Sequence, residues 1–306
     1  MERITKAQKI MDVKQPLVSI ALCTYNGEKF LAKQLDSILN QDYPNVEIII
    51  SDDLSNDGTA AILEDYAAKN RNIKFWINDS NLGFNQNFKK AINNCVGDFI
   101  AIADQDDIWL ENKITLLIKN IGDDLLIYHD SEFIDDQDVP TGKSTLSHHR
   151  FVKGNCSKNL LYYNCVSGHT CLFKKELLKL IQNFPSGLYY DWWLAYTAAC
   201  TGKISYLTDK LVRHRKHTES STSKDKIEAK SLRKMHLNLF LSHPLTPKKL
   251  KEFIQSLLIG YDELNRNTFS LKLFTLLLTN FTSLYYIRKR SVFSLLKIMY
   301  RESKSN

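Results

Sequence analysis

The amino-acid sequence predicts an α/β fold, a mostly parallel sheet flanked by helices, followed by a helical C-terminal appendage. Short apolar runs that suit buried strands alternate with segments whose apolar residues recur at helical spacing. Polar residues follow these apolar runs directly, at the positions where parallel strands would end. We therefore predict one domain over residues 1–223, with halves at 16–110 and 111–223, and a basic helical region over 224–306.

The predicted elements follow from the pattern of apolar residues. Strands are predicted at 17–23, 46–51, 73–77, 99–103, 125–129 and 203–207. Helices are predicted at 28–40, 84–95, 111–120, 174–182, 192–200, 227–241, 248–264 and 271–300, with a polar loop entering a helix at 52–59. The stretch 130–155 is polar and is predicted to be an irregular binding loop or a mobile lid, with contacts to an acceptor.

Composition excludes several classes of protein. The chain has 306 residues, of which 43% are hydrophobic and 25% charged, as in an ordinary globular protein. Its six cysteines form no Cys-x-x-Cys pair and have no zinc spacing with histidine, so neither a disulfide scaffold nor a structural zinc site is predicted. The first 15 residues lack the apolar core of a signal peptide, which favours a cytoplasmic location.

Basic residues are concentrated in the last third of the chain. Residues 1–212 contain 22 Lys and Arg against 27 Asp and Glu, whereas residues 213–306 contain 19 against 7. Two interpretations remain open: a helical cap that packs on the main domain or pairs two copies, and a peripheral surface for anionic lipid on the inner face of the membrane. No nucleic-acid-binding motif accompanies the basic residues.

An acidic cluster at 104–107 follows the fourth strand. Asp104, Asp106 and Asp107 place three carboxylates within four positions, and such like charges are costly unless a cation compensates them. A divalent cation with a bound phosphate is one interpretation. The other is an acidic turn that caps the next helix, and Asp107 is predicted to be that cap.

Several ordered motifs resemble glycosyltransferase family 2. They are Thr-Tyr-Asn-Gly at 24–27, Ser-Asp-Asp-Leu-Ser-Asn-Asp-Gly-Thr at 51–59, Asn-Leu-Gly at 81–83 and Asp-Gln-Asp-Asp-Ile-Trp at 104–109. The resemblance covers about residues 17–220. It implies a GT-A fold, a nucleotide-sugar donor, Mg²⁺ or Mn²⁺, and inversion at the anomeric carbon. The last motif is similar to those of bacterial rhamnosyltransferases of surface-polysaccharide assembly.

The resemblance assigns nucleotide contacts to two loops. Asp53 matches the residue that accepts the N3 hydrogen of a pyrimidine, which uracil and thymine share, so a UDP- or dTDP-linked donor is expected. Thr24, Tyr25 and Asn26 lie in the nucleotide-contacting loop. A loop acid that caps the next helix remains the alternative for Asp53, a role that Asn56 and Asp57 could fill equally well.

The resemblance also assigns the diphosphate and metal contacts. Asp104 matches the acid near ribose and metal, and Asp106 matches the metal ligand. The run at 211–217 is similar to the Arg-x-x-His ending of the family, which implies that Arg215 contacts phosphate and His217 completes the metal sphere. A solvated basic loop is the alternative for both residues.

Asp191 matches the catalytic base of the family. An inverting transfer needs a carboxylate to accept the proton of the attacking hydroxyl, and the aromatic residues around Asp191 would raise its pKa. An N-cap of the helix at 192–200 is the compatible structural alternative. Residues 167–173 resemble the segment of the family that runs beneath the sugar, but His169 within it is predicted to be a hydrogen-bonded core histidine.

The sequence thus predicts a metal-dependent inverting glycosyltransferase with a glycan or lipid-linked glycan acceptor. The alternative is a sugar-nucleotide or glycan-binding protein of the same fold without turnover. A homodimer is compatible with either, and no nucleic-acid partner is expected.

Overall fold

The computed structural model describes residues 15–181, 183–216 and 229–305. The strands are β1 Val18–Thr24, β2 Val46–Asp52, β3 Ile73–Ile77, β4 Phe99–Ala103, β5 Ile108–Trp109, β6 Leu126–Ile134, β7 Pro140–Ser144, β8 Leu172–Lys174 and β9 Ile204–Arg215. The helices are α1 Leu31–Leu39, α2 Thr59–Lys69, α3 Phe84–Asn93, α4 Lys113–Ile121, α5 Thr145–His148, α6 Tyr190–Cys200, α7 Ala229–Ser242, α8 Lys248–Glu263, α9 Leu271–Thr279, α10 Phe281–Leu284 and α11 Val292–Glu302.

These strands form one sheet in the order β3-β2-β1-β4-β8-β6-β9-β5, with β7 paired to β6. The first four strands are parallel, with β1 between β2 and β4. Strand β8 then pairs antiparallel with both β4 and β6. The predicted α/β sheet flanked by helices is confirmed, as is the helical C-terminal region. The second half of the sheet is mixed rather than parallel.

Two hydrophobic cores cover the two faces of the sheet. Successive side chains of a strand point to opposite faces, so Ala21 lies in one core while Ile20 and Leu22 lie in the other. The first core also contains residues of the C-terminal helices, among them Ile254 and Met299. The helical region therefore packs on the same face of the sheet as α3 and α6.

The region predicted as a loop at 130–155 is a hairpin followed by a short helix. Strand β6 continues through the polar residues His129, Asp130 and Ser131, all of which are buried. Asp130 and Ser131 find partners in α5: the Asp130 carboxylate accepts from the backbone N–H of Leu146 at 2.9 Å, and the hydroxyls of Ser131 and Thr145 lie 2.8 Å apart. His129 Nε2 has no hydrogen-bond partner among the described residues. The loop prediction was wrong because it assumed that polar residues such as Asp130 and Ser131 would be exposed to solvent.

The predicted helix over 271–300 is three helices. Backbone bonds close α9 at Asn280, and the Ser291 hydroxyl caps α11 by accepting from the backbone N–H of Ser294. The segment at 174–182 was also predicted as an α-helix, but residues Lys175–Leu180 form a 3₁₀-helix. Among the described residues, no helix has the length and apolar content that crossing a membrane requires.

Candidate active site

Three polar loops meet at the carboxyl ends of β1, β2 and β4. The backbone N–H of Asp53 donates to the carbonyl of Thr24 at 2.8 Å, and the N–H of Asn26 donates to the Ser55 hydroxyl at 2.9 Å. The Gln105 side chain bonds both the N–H and the carbonyl of Tyr25, at 2.8 and 3.0 Å. The structure therefore brings together the residues that the sequence assigned to one nucleotide site.

The first two loops hold strained backbone. Asn26 and Leu54 have positive φ angles of 49° and 63°, which non-glycine residues rarely adopt. Thr24 is buried, and its hydroxyl donates to the carboxylate of Asp52 at 2.6 Å. Tyr25 is 47% exposed, so its ring is available to a ligand.

Asp53 organises the turn that follows β3. Its two carboxylate oxygens accept from the N–H groups of Leu82 and Gly83 at 2.8 and 2.9 Å. The amide of Asn78 adds a third bond at 3.0 Å. Gly83 precedes α3 with a φ of 76°, so this carboxylate fixes the start of that helix.

The acidic cluster forms a turn between β4 and β5. Asp107 does not cap α4, because that helix starts at Lys113 after Asn112 and has no side-chain cap. The prediction of Asp107 as a helix cap was therefore wrong. Its carboxylate is buried and accepts from the N–H of Arg215 at 3.1 Å and bonds His214 Nδ1 at 3.0 Å.

Two histidines complete a cluster around Asp107 that could hold a metal ion. One ligand atom from each of Asp107, His169 and His214 lies within 4.8 Å of the others. The two imidazole rings are stacked, with centroids 4.2 Å apart. Asp104 joins the cluster, since its carboxylate lies 3.3 Å from His169 Nδ1. The second oxygen of Asp107 has no hydrogen-bond partner among the described residues, although it is buried.

Two of the three groups in this cluster, His169 and Asp107, have protonation states that suit a cation. Burial lowers the pKa of His169, which keeps that imidazole neutral and free to donate a lone pair. Burial also acts against ionisation of Asp107, but the neighbouring His214 outweighs it and lowers the pKa of that carboxyl. Asp107 in turn outweighs burial and raises the pKa of His214, so a cation bound by His214 would have to displace a proton. His169 is hydrogen-bonded and buried as predicted, but it lies at the site rather than in the core alone.

Arg215 is buried at the edge of this cluster. Its guanidinium donates to the backbone carbonyls of Asp106 and Asp135 at 2.9 and 2.7 Å, and it pairs with Asp138 at 2.5 Å. It also lies 4.1 Å from the centroid of the Phe30 ring. These contacts join the acidic turn to the hairpin of β6 and β7. His217 lies outside the described residues.

Asp191 lies in the first turn of α6, where it is partly buried. One carboxylate oxygen accepts from the N–H of Gly168 at 3.1 Å, and the other accepts from the Asn164 amide at 3.3 Å. Burial raises its pKa from 3.8 to about 7, against the lowering effect of the backbone N–H groups of Trp192 and Gly168. A carboxyl with a pKa near the working pH is suited to general-base catalysis.

The position of Asp191 is set by residues that the sequence did not single out. The Asn85 amide on α3 donates to the carbonyl of Leu188 at 3.0 Å and accepts from the N–H of Tyr190 at 2.8 Å. Asn164 holds its own loop by bonding both the N–H and the carbonyl of Val166. Amide side chains in loops are common, so no sequence signal distinguished these two.

Replacement of Gly168 tests how precisely Asp191 must be positioned. A methyl group there would lie 2.1 Å from the Tyr190 hydroxyl, so Tyr190 or the start of α6 would have to move. We expect Gly168→Ala to lower kcat at least about tenfold, because small displacements of a reacting group are costly. We expect a loss of about 2 kcal/mol in the free energy of unfolding, measured by urea denaturation.

Gly122→Ala is the matched control for this variant. Gly122 ends α4 with a φ of 49° and has open space around it, so alanine should cost about 2 kcal/mol of backbone strain. The control should lose stability and keep its kcat. An equal loss of kcat in the two variants would contradict the positioning role of Gly168.

Residues 19–181 match the family described as glycosyl transferase family 2. An uncharacterised glycosyltransferase of Haemophilus influenzae is 30% identical over 226 residues, which cover 68% of this chain and 68% of that protein. The GalNAc(5)-diNAcBac-PP-undecaprenol beta-1,3-glucosyltransferase of Campylobacter jejuni is 30% identical over 109 residues, which cover 35% of each chain.

Two solved structures have a similar fold. S. aureus TarS 1–349 in complex with UDP-GlcNAc has a TM-score of 0.63 at 21% identity, over 80% of this chain and 72% of that one. The mannosyltransferase PcManGT from Pyrobaculum calidifontis, in complex with GDP-Man and Mn²⁺, has a TM-score of 0.57 at 18% identity, over 79% and 69%. The fold is thus that of the GT-A glycosyltransferases.

The chain belongs to glycosyl transferase family 2. It is a glycosyltransferase, as the sequence predicted.

Proposed function

We propose that this protein is a metal-dependent inverting glycosyltransferase that uses a nucleoside-diphosphate sugar in bacterial polysaccharide biosynthesis. The observation that carries the proposal is Asp191, a carboxyl with a pKa raised to about 7 and held by Gly168 and Asn164. Gly168 is the neighbour of His169, whose ring contacts Asp104. The two adjacent residues Gly168 and His169 therefore connect Asp191 with the acidic turn.

Asp191 would act on the acceptor. As the acceptor hydroxyl attacks the anomeric carbon, its oxygen forms the new bond, its proton passes to the Asp191 carboxylate, and the bond to the diphosphate breaks. Attack from the face opposite the diphosphate inverts the anomeric carbon. Because Asp191 accepts two hydrogen bonds, its carboxylate has a fixed direction when the proton is transferred.

The residues at the acidic turn fit a divalent cation. Asp107 contributes a buried oxygen without a hydrogen-bond partner among the described residues, and His169 contributes a neutral imidazole. Asp104 and Asp106, with His217, remain the ligands that the family resemblance implies. A cation bound here would stabilise the departing diphosphate. Two imidazoles with carboxylates favour Mn²⁺ over Mg²⁺, which prefers oxygen ligands.

The donor is proposed to be UDP- or dTDP-linked. Asp53, Thr24, Tyr25 and Asn26 lie in two hydrogen-bonded loops at the strand ends, next to the acidic turn that Gln105 ties to Tyr25. The TarS complex holds UDP-GlcNAc, which supports a uridine nucleotide. Rhamnose is the sugar that the motif at 104–109 favours.

We propose a glycan or lipid-linked glycan as the acceptor, used at the cytoplasmic face of the membrane. The C. jejuni relative is named for transfer to an undecaprenol-linked glycan, which supports this class of acceptor.

Arg215 is proposed to support the diphosphate site indirectly. Its nitrogen atoms contact protein oxygens, so it would hold the acidic turn in place for the diphosphate.

A panel of nucleotide sugars tests the proposal. Purified protein is incubated with UDP-, dTDP- and GDP-linked sugars, and release of the nucleoside diphosphate is measured with Mn²⁺, with Mg²⁺ and with EDTA. We expect hydrolysis of one uridine or thymidine donor, faster with Mn²⁺ than with Mg²⁺ and absent with EDTA. Binding of a donor without any turnover, with acceptor extracts present, would instead favour a glycan-binding protein of the same fold.

A further inference from the structure

The last helix exposes its apolar residues to solvent. In α11, Phe293 is 80% exposed, Tyr300 52% and Leu296 37%. These three positions are spaced by three and four residues and so share one face of the helix. Leu295 and Met299 on the opposite side are buried against the protein. The helix is therefore apolar on both its inner and outer faces.

Further exposed apolar residues lie next to this face of α11. Val292 is 61% exposed, and Leu271, at the start of α9, is 70% exposed. The ring of Phe269 contacts both helices, because its centroid lies 5.7 Å from that of Tyr300 on α11 and 5.8 Å from that of Phe274 on α9. A single exposed leucine is ordinary, but a connected apolar surface indicates an interaction site.

Basic side chains lie beside this apolar surface on α11. Residues 264–305 contain eight Lys and Arg and one acid, Glu302. Glu302 turns inward, since it bonds the Tyr261 hydroxyl and lies 3.8 Å from Arg233. Lys297 and Arg301 are exposed and lie one turn apart on α11. Lys297 and Arg301 therefore place positive charge beside the apolar and aromatic side chains of this surface.

We propose that this face of α11 docks on an anionic lipid surface. Apolar side chains would enter the boundary between headgroups and acyl chains, and the lysine and arginine residues would meet the lipid phosphates. A second copy of the chain fits this face poorly, because two such surfaces would bring like charges together. The helix has 11 residues, which suits a position in the interface rather than across it.

Docking would place the membrane near the residues that follow α5. The segment before α11 contacts these residues, since the N–H of Arg150 donates to the carbonyl of Ile287 at 2.7 Å. The Arg150 guanidinium also donates to the carbonyl of Tyr286 at 3.1 Å. A lipid-linked acceptor would then approach from this side, a consequence that rests on the proposed function.

Vesicle sedimentation tests the docking surface without any sugar substrate. The full chain is mixed with phosphatidylcholine vesicles with or without phosphatidylglycerol. We expect binding only to the anionic vesicles, weakened about tenfold or more in Phe293→Ser and in the double variant Lys297→Glu/Arg301→Glu. High salt should weaken the binding of the wild type.

Two matched variants control for general effects. Val96→Ser removes an apolar side chain that is 60% exposed between α3 and β4, and Lys119→Glu reverses an exposed charge on α4. Both should bind vesicles as the wild type does, and Phe293→Ser should keep the wild-type rate of donor hydrolysis. Equal binding to neutral vesicles, no binding, or a dimer in light scattering that Phe293→Ser disrupts would overturn the proposal.

Discussion

Replacement of Asp191 by asparagine is expected to slow sugar transfer about a thousandfold and to leave nucleotide-sugar binding unchanged. Asparagine keeps the size of the side chain and can still accept from the N–H of Gly168. It cannot accept the proton of the acceptor hydroxyl. Donor affinity is measured by calorimetry and transfer by release of the nucleoside diphosphate with acceptor present. Near-normal transfer would refute Asp191 as the base.

The pH dependence gives a second readout for the same residue. Since burial raises the pKa of Asp191 to about 7, kcat of the wild type should rise with pH through an apparent pKa near that value. A control, Asp209→Asn on the exposed part of β9, should keep both the rate and this profile. If kcat of the wild type did not fall at acidic pH, the assignment of Asp191 as the base would be contradicted.

Stability should change with pH in a matching direction. A carboxyl whose pKa is higher in the folded protein binds its proton more tightly there, so its stabilising contribution is present at low pH. That contribution is lost as the pH rises from about 4, the ordinary value, through about 7. Asparagine does not titrate, so Asp191→Asn does not lose stability in this way. The Tm of the variant minus the Tm of the wild type should therefore increase from about pH 4 to about pH 7.

Asp106→Ala is expected to abolish the metal-dependent binding of the nucleotide sugar. The carboxylate would no longer neutralise a cation at the turn, and the diphosphate would meet unscreened acidic groups. Donor affinity is titrated with Mn²⁺ and with EDTA. The exposed Asp123→Ala at the end of α4 is the control and should behave as the wild type. Affinity that still rises with Mn²⁺ would show that Asp106 is not a ligand.

Asp107→Asn separates the two candidate sets of ligands. If the cluster of Asp107, His169 and His214 holds the cation, this variant should also lose the Mn²⁺ response. We expect that loss, together with a Tm below that of the wild type, because the buried His214 loses its charged partner. A normal Mn²⁺ response in a folded Asp107→Asn variant would leave the metal to Asp104, Asp106 and His217.

The sequence predicted the parts of the fold that depend on regular patterns. Apolar runs and helical spacing located β1 to β4 and the helices between them, because buried parallel strands need continuous apolar residues. The polar residues after these strands were correctly expected to converge, and the structure joins them through Asp53, Ser55 and Gln105. Convergence follows from the geometry of parallel sheets.

The parts that the sequence missed depend on long-range pairing. Asp107 was taken as a helix cap because its partners, His214 and the backbone N–H of Arg215, come from β9, more than 100 residues away. Strand β6 was ended at His129 because polar residues usually face water, whereas here Thr145 and Leu146 supply buried partners. No local pattern in the chain records either of these contacts.

The bonds of Asn85 and Asp53 have a consequence for engineering. Asp53 fixes the start of α3 by accepting from the N–H of Gly83. Two residues further along, Asn85 hydrogen-bonds the backbone on both sides of Tyr189, just before Asp191. One helix therefore connects the loop that would select the nucleotide with the group that would remove the proton. Attempts to exchange donor preference by grafting the loop at 78–84 should alter turnover at the same time. We expect donor selectivity and turnover rate to change together in this scaffold unless Asn85 and α3 are transplanted with the loop.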